Sequence, residues 1–234
     1  MAITDNGRLS QTNPIAKVSH AGSINQKEGD TIHFAVSSCR GRRQTQEDTY
    51  VIEAELRPAF DDETETLSPD LLRVLPGHAL FAVFDGHGTE FASKYSASHF
   101  VSTFCKQSSF LEYSRRYRLD SPQQCNPSGK KKRQPMQYDK ADSQHDVDLK
   151  SLLANAIKST MIELDANMLR EMKSRDDGVC GGKLDTCSRD DQMELYDIFD
   201  SGTTAIVVLL TPQYFVCANL VSLLETSMAD NICF

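Results

Sequence analysis

The alternation of apolar and polar positions along the chain predicts both strands and helices. The predicted strands are residues 31–36, 48–55, 79–84, 203–210 and 214–219, and the predicted helices are residues 89–106 and 148–173. Asp148 is a candidate N-cap of the second helix, because its carboxylate can accept a hydrogen bond from the first helical turn. Residues 79–84 (ALFAVF) are apolar at every position, so we expect both faces of this strand to be covered.

The segment from Ser201 to Leu224 contains no charged residue and is long enough to be considered as a membrane-spanning helix. It consists, however, of two apolar runs, TTAIVVLL and YFVCANL, separated by TPQ. Pro212 and its polar neighbours are typical of a hairpin turn between buried strands. We therefore predict a hairpin, a soluble protein and no membrane partner.

The distribution of polar segments predicts one domain with a leader and three insertions. Residues 1–30 are polar and predict a disordered leader, and residues 31–234 form the domain. Mobile insertions are expected at about 57–76, 120–147 and 174–198. The second insertion carries KKKR (130–133), which is either a nuclear import signal or a solvated loop.

Composition narrows the class of protein. The chain has 234 residues, of which 39% are hydrophobic, which is enough for one sizeable domain or two small ones. Its net charge of −8 argues against a general nucleic-acid-binding surface. The 7 cysteines include no CxxC pair, and the polar N-terminus lacks the apolar core of a signal peptide. We therefore expect the protein to be in a reducing compartment, namely the cytoplasm, the nucleus or both.

The sequence Asp85-Gly86-His87-Gly88 follows the most apolar predicted strand. An aspartate here is a hard oxygen ligand suited to Mg²⁺ or Mn²⁺, and the glycines let a backbone carbonyl approach a cation. His87 could donate a proton near neutral pH. Alternatively, Asp85 caps the next helix and His87 has no chemical role. The tetrapeptide alone leaves both interpretations open.

The basic turn GRRQTQED (41–48) places Arg43 close in sequence to the acidic pair Glu47-Asp48. A guanidinium group is well suited to bind a phosphate, and a nearby carboxylate can share a metal ion with Asp85. Together with His87, these residues form a candidate site for a phosphate and a metal. By itself, the arginine run would be interpreted as surface charge.

Three motifs give the chain a resemblance to a known family. GRRQTQEDTYV resembles the Arg-x-x-Met-Glu-Asp motif of the metal-dependent serine/threonine protein phosphatases of the protein phosphatase 2C type, with Gln46 in place of the methionine. FAVFDGHG matches the most specific motif of that family. SGTTAIVVLL (201–210), followed by YFVCAN, resembles its Ser-Gly-Thr/Ser-Thr-Ala strand pair. The resemblance covers about residues 31–219.

The resemblance implies an α+β fold, a sandwich of two antiparallel β-sheets flanked by helices in α-β-β-α layers. In this chain the sandwich would be incomplete at the C-terminal side. The implied function is hydrolysis of phosphoserine and phosphothreonine in proteins, by a water molecule that two Mg²⁺ or Mn²⁺ ions activate. The implied partners are phosphoprotein substrates, and we expect a monomer.

The resemblance also implies roles for individual residues. Arg43 would bind the substrate phosphate, and His87 would be the general acid. The metal ligands would be Glu47, Asp85 and, through its backbone carbonyl, Gly86. Asp48 and Thr204 would orient ligands or water around the ions.

After YFVCAN the chain departs from the family pattern. The family continues with Gly-Asp-Ser-Arg and later carries a further metal ligand, whereas this chain continues LVSLLETSMADNICF. One explanation is an out-of-frame tail. The other, which we favour, is a block lost between Asn219 and Leu220, because LVSLLE resembles the end of a helix and SMADNICF the closing segment of the family. Asp230 would then be the last metal ligand.

These observations leave three hypotheses for function. The chain, or a full-length form of it, is an active phosphatase. Alternatively, it is a catalytically impaired form that acts as a binding or regulatory protein. A third hypothesis is another metal-dependent hydrolase that shares the Asp-Gly-His turn by chance, against which the other two motifs argue. The sequence does not separate the first two.

Overall fold

The protein is an α+β structure with two antiparallel sheets. The computed structural model describes residues 18–25, 31–60, 72–120, 142–180, 200–223 and 231–233. Its elements in chain order are β1 (Val18–Asn25), β2 (Thr31–Ser37), β3 (Thr49–Glu53), β4 (Ala79–His87), α1 (Phe91–Lys106), α2 (Ser108–Asp120), α3 (Asp142–Cys180), β5 (Gly202–Leu210), β6 (Phe215–Leu223) and β7 (Asn231–Cys233).

The sheet topology confirms the predicted fold class. Strands β1 and β2 pair as a two-stranded sheet, and the larger sheet has the order β3-β4-β5-β6-β7 with antiparallel neighbours throughout. The two sheets meet where Phe34 of β2 packs edge-on against Phe81 of β4, with ring centroids 5.2 Å apart. The central strand of the larger sheet is β5, which pairs with β4 on one side and β6 on the other.

Helices cover one face of the larger sheet. Because side chains alternate along a strand, Leu80, Ala82 and Phe84 of β4 point to the same face, and all three are buried. They share a core with aromatic and aliphatic side chains of the helices, namely Phe100, Phe104, Phe110, Tyr113, Leu153, Ile157, Leu164 and Met168. Burying a side chain of this size stabilises the fold by about 1.5–3 kcal/mol, so this layer holds β4 rigidly in place.

The other face of β4 is only partly covered, which contradicts the expectation that both faces would be buried. Phe81 contacts Phe34, but Val83 is 50% exposed and its neighbour Ile206 on β5 is 51% exposed. The two-stranded sheet therefore reaches only part of this surface. The prediction of two covered faces came from a strand that is apolar at every position. Such a run does not indicate how much of the strand a neighbouring sheet covers.

Several element boundaries differ from the sequence-based expectations. Residues 18–25 form β1, so they are not part of a disordered leader, and helix α2 was not predicted. Helix α3 begins at Asp142 and ends at Cys180, so it extends into the expected insertions 120–147 and 174–198. Asp148 lies within α3 and is not its N-cap. Its carboxylate accepts a hydrogen bond from Nη1 of Arg116 at 3.0 Å.

The predicted hairpin between β5 and β6 is confirmed. The backbone N–H of Thr211 donates to the carbonyl of Tyr214 at 2.9 Å. Residues 220–223 continue β6, so the expectation that LVSLLE ends a helix is wrong for these residues. In the part of the chain that the structure describes, no helix is both long enough and apolar enough to cross a membrane.

The expected insertion at 57–76 is irregular but packed where the structure describes it. Leu56 and Leu75, at its two ends, are fully buried, and the N–H of Leu75 donates to the carbonyl of Leu56 at 2.9 Å. The predictions for residues 1–17, 61–71, 121–141, 181–199 and 224–230, which include Asp230, lie outside the described residues.

Candidate active site

The end of β4 presents two polar side chains on one face of the larger sheet. Asp85 and His87 are two positions apart in the strand, so they share a face, and both are exposed. Gly86 lies between them and is buried. In the pairing with β5, Asp85 is opposite Thr204 and His87 is opposite Gly202. A strand anchored by a buried core is a rigid support for such groups.

Gly86 allows the segment before β3 to lie directly against β4. A Cβ atom at this position would overlap the backbone carbonyl of Glu47 and lie 2.9 Å from Oγ of Ser93. The hydroxyl of Ser93, on α1, donates a hydrogen bond to the same Glu47 carbonyl. This contact brings Glu47 next to the end of β4. The sequence analysis missed Ser93, since nothing in the local pattern of α1 connects it to the basic turn.

These segments enclose an open cleft with a volume of about 280 Å³. Its lining is almost entirely polar and consists of Cys39, Arg40, Arg43, Thr45, Gln46, Glu47, Asp48, Asp85 and Gly86. The structure therefore places five of the candidate site residues around one cleft, although they come from two motifs far apart in the sequence. The cleft also contains Arg40, which directly precedes the basic turn and to which the sequence analysis assigned no role.

The carboxyl groups of the cleft influence each other. Partial burial raises the pKa of Asp48, and the negative charge of Asp85 and a hydrogen bond with it raise this pKa further. A hydrogen bond from Gln46 and the positive charge of Arg43 act in the opposite direction. Two carboxylates held this close repel each other when both are ionised, and a bound cation would relieve that repulsion.

Local hydrogen bonds within the basic turn orient its acidic residues. The hydroxyl of Thr45 donates to Oε1 of Glu47 at 2.8 Å. The side-chain amide of Gln46 donates to Oδ2 of Asp48 at 3.3 Å. Gln46 stands where the resemblance expects a methionine, so this chain has a hydrogen-bond donor to Asp48 that a thioether would not supply.

The remaining predicted site residues lie beside the cleft or outside the described residues. His87 is exposed and is not part of the cleft lining; its imidazole lies against Gly202, where a Cβ would overlap the ring. Thr204 is half-buried next to Asp85 in the ladder. Its neighbour Thr203, which was not predicted, donates from Oγ1 to the Asp85 carbonyl at 3.0 Å.

The turn after β4 is held by the start of β5. Gly88 has a φ of 77°, and a Cβ there would overlap the carbonyl of Asp200. Oγ of Ser201 accepts a hydrogen bond from the N–H of Ala92 at 2.9 Å and donates to the carbonyl of Thr89 at 3.1 Å. The hydrogen bonds of Ser201 therefore hold the turn that follows β4 in place. Gly202, which has no side chain, leaves space for the imidazole of His87.

The donor types in the cleft fit a hard divalent cation. The carboxylates of Glu47, Asp48 and Asp85 and the carbonyl of Gly86 supply only oxygen ligands, which Mg²⁺ and Mn²⁺ prefer. Within the described ranges, no group of three or more His, Cys, Asp or Glu side chains is arranged to hold a metal ion. The described residues therefore supply oxygen donors of the type that such ions prefer.

Comparison with known proteins supports the fold. No model of a protein family and no curated protein matches the chain. A solved structure of a serine-threonine phosphatase 2C from Toxoplasma gondii is similar, with a TM-score of 0.51 and 15% sequence identity. The chain has the fold of part of that protein. The similarity covers 86% of this chain and 46% of the other, so the chain spans less than half the length of that structure.

Proposed function

We propose that this protein hydrolyses phosphoserine and phosphothreonine in protein substrates, with two Mg²⁺ or Mn²⁺ ions as cofactors. The observation that carries the proposal is the single cleft in which Arg43 lies beside Glu47, Asp48 and Asp85. A phosphate-binding cation next to convergent carboxylates is what metal-assisted phosphate ester hydrolysis requires. The similarity of the fold to a serine-threonine phosphatase 2C supports the same conclusion.

Different residues of the cleft would have different roles in such a reaction. Glu47, Asp85 and the carbonyl of Gly86 would hold the ions, which when bound supply an activated water and neutralise phosphate charge. The guanidinium of Arg43 binds the phosphate oxygens with directed N–H donors. Asp48 and Thr204 flank Asp85 and would orient its carboxylate or the water around the ions. His87, on the same face of β4, donates a proton to the departing Ser or Thr oxygen.

The test is hydrolysis of a phosphothreonine peptide by the purified chain in Mg²⁺ or Mn²⁺, with and without EDTA. We expect EDTA to abolish activity, and Asp85→Asn to lower kcat/KM by at least about 100-fold, because an amide is a poor ligand for a hard cation. Arg43→Ala should mainly raise KM, since it removes a phosphate contact and no metal ligand.

A matched control is Glu55→Gln, which removes an exposed carboxylate paired with Arg57 and should leave activity unchanged. Because the chain spans less than half of the similar phosphatase structure, we expect lower turnover than in a full-length relative. Hydrolysis that is insensitive to EDTA and to Asp85→Asn would contradict the proposal. Phosphopeptide binding without turnover would favour a regulatory role.

A further inference from the structure

A second arginine, Arg40, lines the same cleft as Arg43. The two residues are brought together by a turn at Gly41, whose φ of 65° is in the left-handed region that glycine adopts readily. Nη1 of Arg40 donates a hydrogen bond to the carbonyl of Gln44 at 2.8 Å, which closes this turn. The position of the Arg40 guanidinium is therefore fixed relative to Arg43 by the fold of the turn.

The two guanidinium groups differ in their electrostatic surroundings. Arg43 is close enough to Asp48 for its charge to act on that carboxyl group. Arg40 has no carboxylate partner among the residues that the structure describes, and its hydrogen bond is to the neutral carbonyl of Gln44. A guanidinium has five N–H donors, so one hydrogen bond leaves Arg40 with donors for a ligand. The cleft thus has an anion-binding group beyond the one that a single phosphate needs.

We propose that Arg40 is a specificity-determining residue that binds a second anionic group of the substrate, next to the phosphate that Arg43 holds. This inference rests on the proposed function. The substrates would be phosphopeptides in which an Asp or Glu carboxylate, or a second phosphate, flanks the phosphorylated residue. At about 280 Å³ the cleft is near the lower end of the range for ligand pockets, ~300–1,000 Å³, so the two anions would have to be close neighbours.

The experiment measures binding and not turnover, so it does not depend on how active the chain is. Dye-labelled peptides of one length carry a non-hydrolysable phosphonate analogue of phosphothreonine, flanked by neutral residues, by aspartates or by a second phosphonate. Fluorescence anisotropy with the full chain in Mg²⁺ gives their dissociation constants. We expect the two doubly anionic peptides to bind about threefold to tenfold more tightly than the neutral one at low salt, and less so at high salt.

Arg40→Gln should remove most of this preference while changing the affinity for the neutral-flanked peptide by less than about twofold. Arg40→Lys should retain part of this preference, because lysine keeps the positive charge but lacks the planar guanidinium group. The matched control is Arg42→Gln, which removes the same charge from the same turn at a residue that does not line the cleft. Because residues 40 and 42 are both exposed, we expect both variants to remain folded, which thermal melts check.

The outcomes separate the inference from the proposed function. If Arg40→Gln and Arg42→Gln reduce the preference equally, or if neither changes it, the role of Arg40 is wrong while phosphonate binding stands. If only the second phosphonate is preferred, the flanking carboxylate is excluded as a source of the anion. If no phosphonate peptide binds, or if Arg43→Gln leaves binding unchanged, the proposed function itself is contradicted and the inference with it.

Discussion

The carboxyl groups of Asp48 and Asp85 lie within hydrogen-bond reach of each other, although they belong to motifs in different parts of the chain. Partial burial of Asp48, together with this proximity, raises the pKa of Asp48 above its ordinary value of 3.8. A group whose folded-state pKa is raised costs stability once both carboxylates are ionised, and this cost disappears as the pH falls through the folded-state pKa. The two carboxylates therefore repel each other when both are ionised.

The first prediction follows from that pair. In EDTA, Asp48→Asn should be more stable than the wild type at neutral pH, by no more than about 0.5 kcal/mol because the carboxylates are largely exposed and screened. The gain should shrink as the pH is lowered towards 4, because protonation of Asp48 in the wild type removes the repulsion. Thermal melts at both pH values measure it, with Glu55→Gln as a control that should show no gain at neutral pH. An equal gain at both pH values would mean that charge repulsion is not its cause.

The second prediction concerns His87 and rests on the proposed function. His87→Ala should lower kcat for a phosphothreonine peptide by about 100-fold or more, since an alkoxide leaving group needs a proton. Nitrophenyl phosphate, whose leaving group needs little protonation, should lose less than about tenfold. His99→Ala, at an exposed histidine of α1, is the control and should affect neither substrate. Equal losses on both substrates would exclude His87 as the general acid.

The third prediction concerns the support of Glu47 by α1. Ser93→Ala removes the hydroxyl that donates to the Glu47 carbonyl, so we expect a loss of about 1–2 kcal/mol in the free energy of unfolding. Ser98→Ala, on the exposed side of the same helix, removes a hydrogen bond to Tyr95 at 2.9 Å and should cost less than about 0.5 kcal/mol. Urea unfolding of both variants gives the comparison. Equal losses would show that Ser93 has no special role.

The fourth prediction compares the two faces of β4. Phe84→Ala should lower the free energy of unfolding by about 3–5 kcal/mol, because the side chain is fully buried in the helical layer. Val83→Ala should cost less than about 1 kcal/mol, because the Val83 side chain is itself 50% exposed. The same urea experiment measures both. A large loss for Val83→Ala would show that this face is covered in solution.

The sequence predicted the elements whose pattern is local. Apolar periodicity and turn residues predicted the hairpin at residues 211–213, helix α1 and the strand at 79–84, which in the structure continues to His87. The two-sheet α+β fold followed from the resemblance of three motifs, which are short stretches with a fixed order. The start of α3 and the existence of β1 were not predicted. Strand β1 forms by pairing with β2, and the local pattern of its residues does not reveal that partner.

By itself, the sequence determined which residues are candidates for the site. The local sequence gives the identity of Arg43, Glu47 and Asp85 and shows that they lie next to predicted strands. Only the tertiary structure decided that Asp48 lies against Asp85, that Gly86 admits the carbonyl of Glu47, and that Arg40 joins the cleft. The physical reason is that such contacts depend on strand register and on the distance of closest approach between packed segments. Neither of these is encoded in the spacing of residues within one segment.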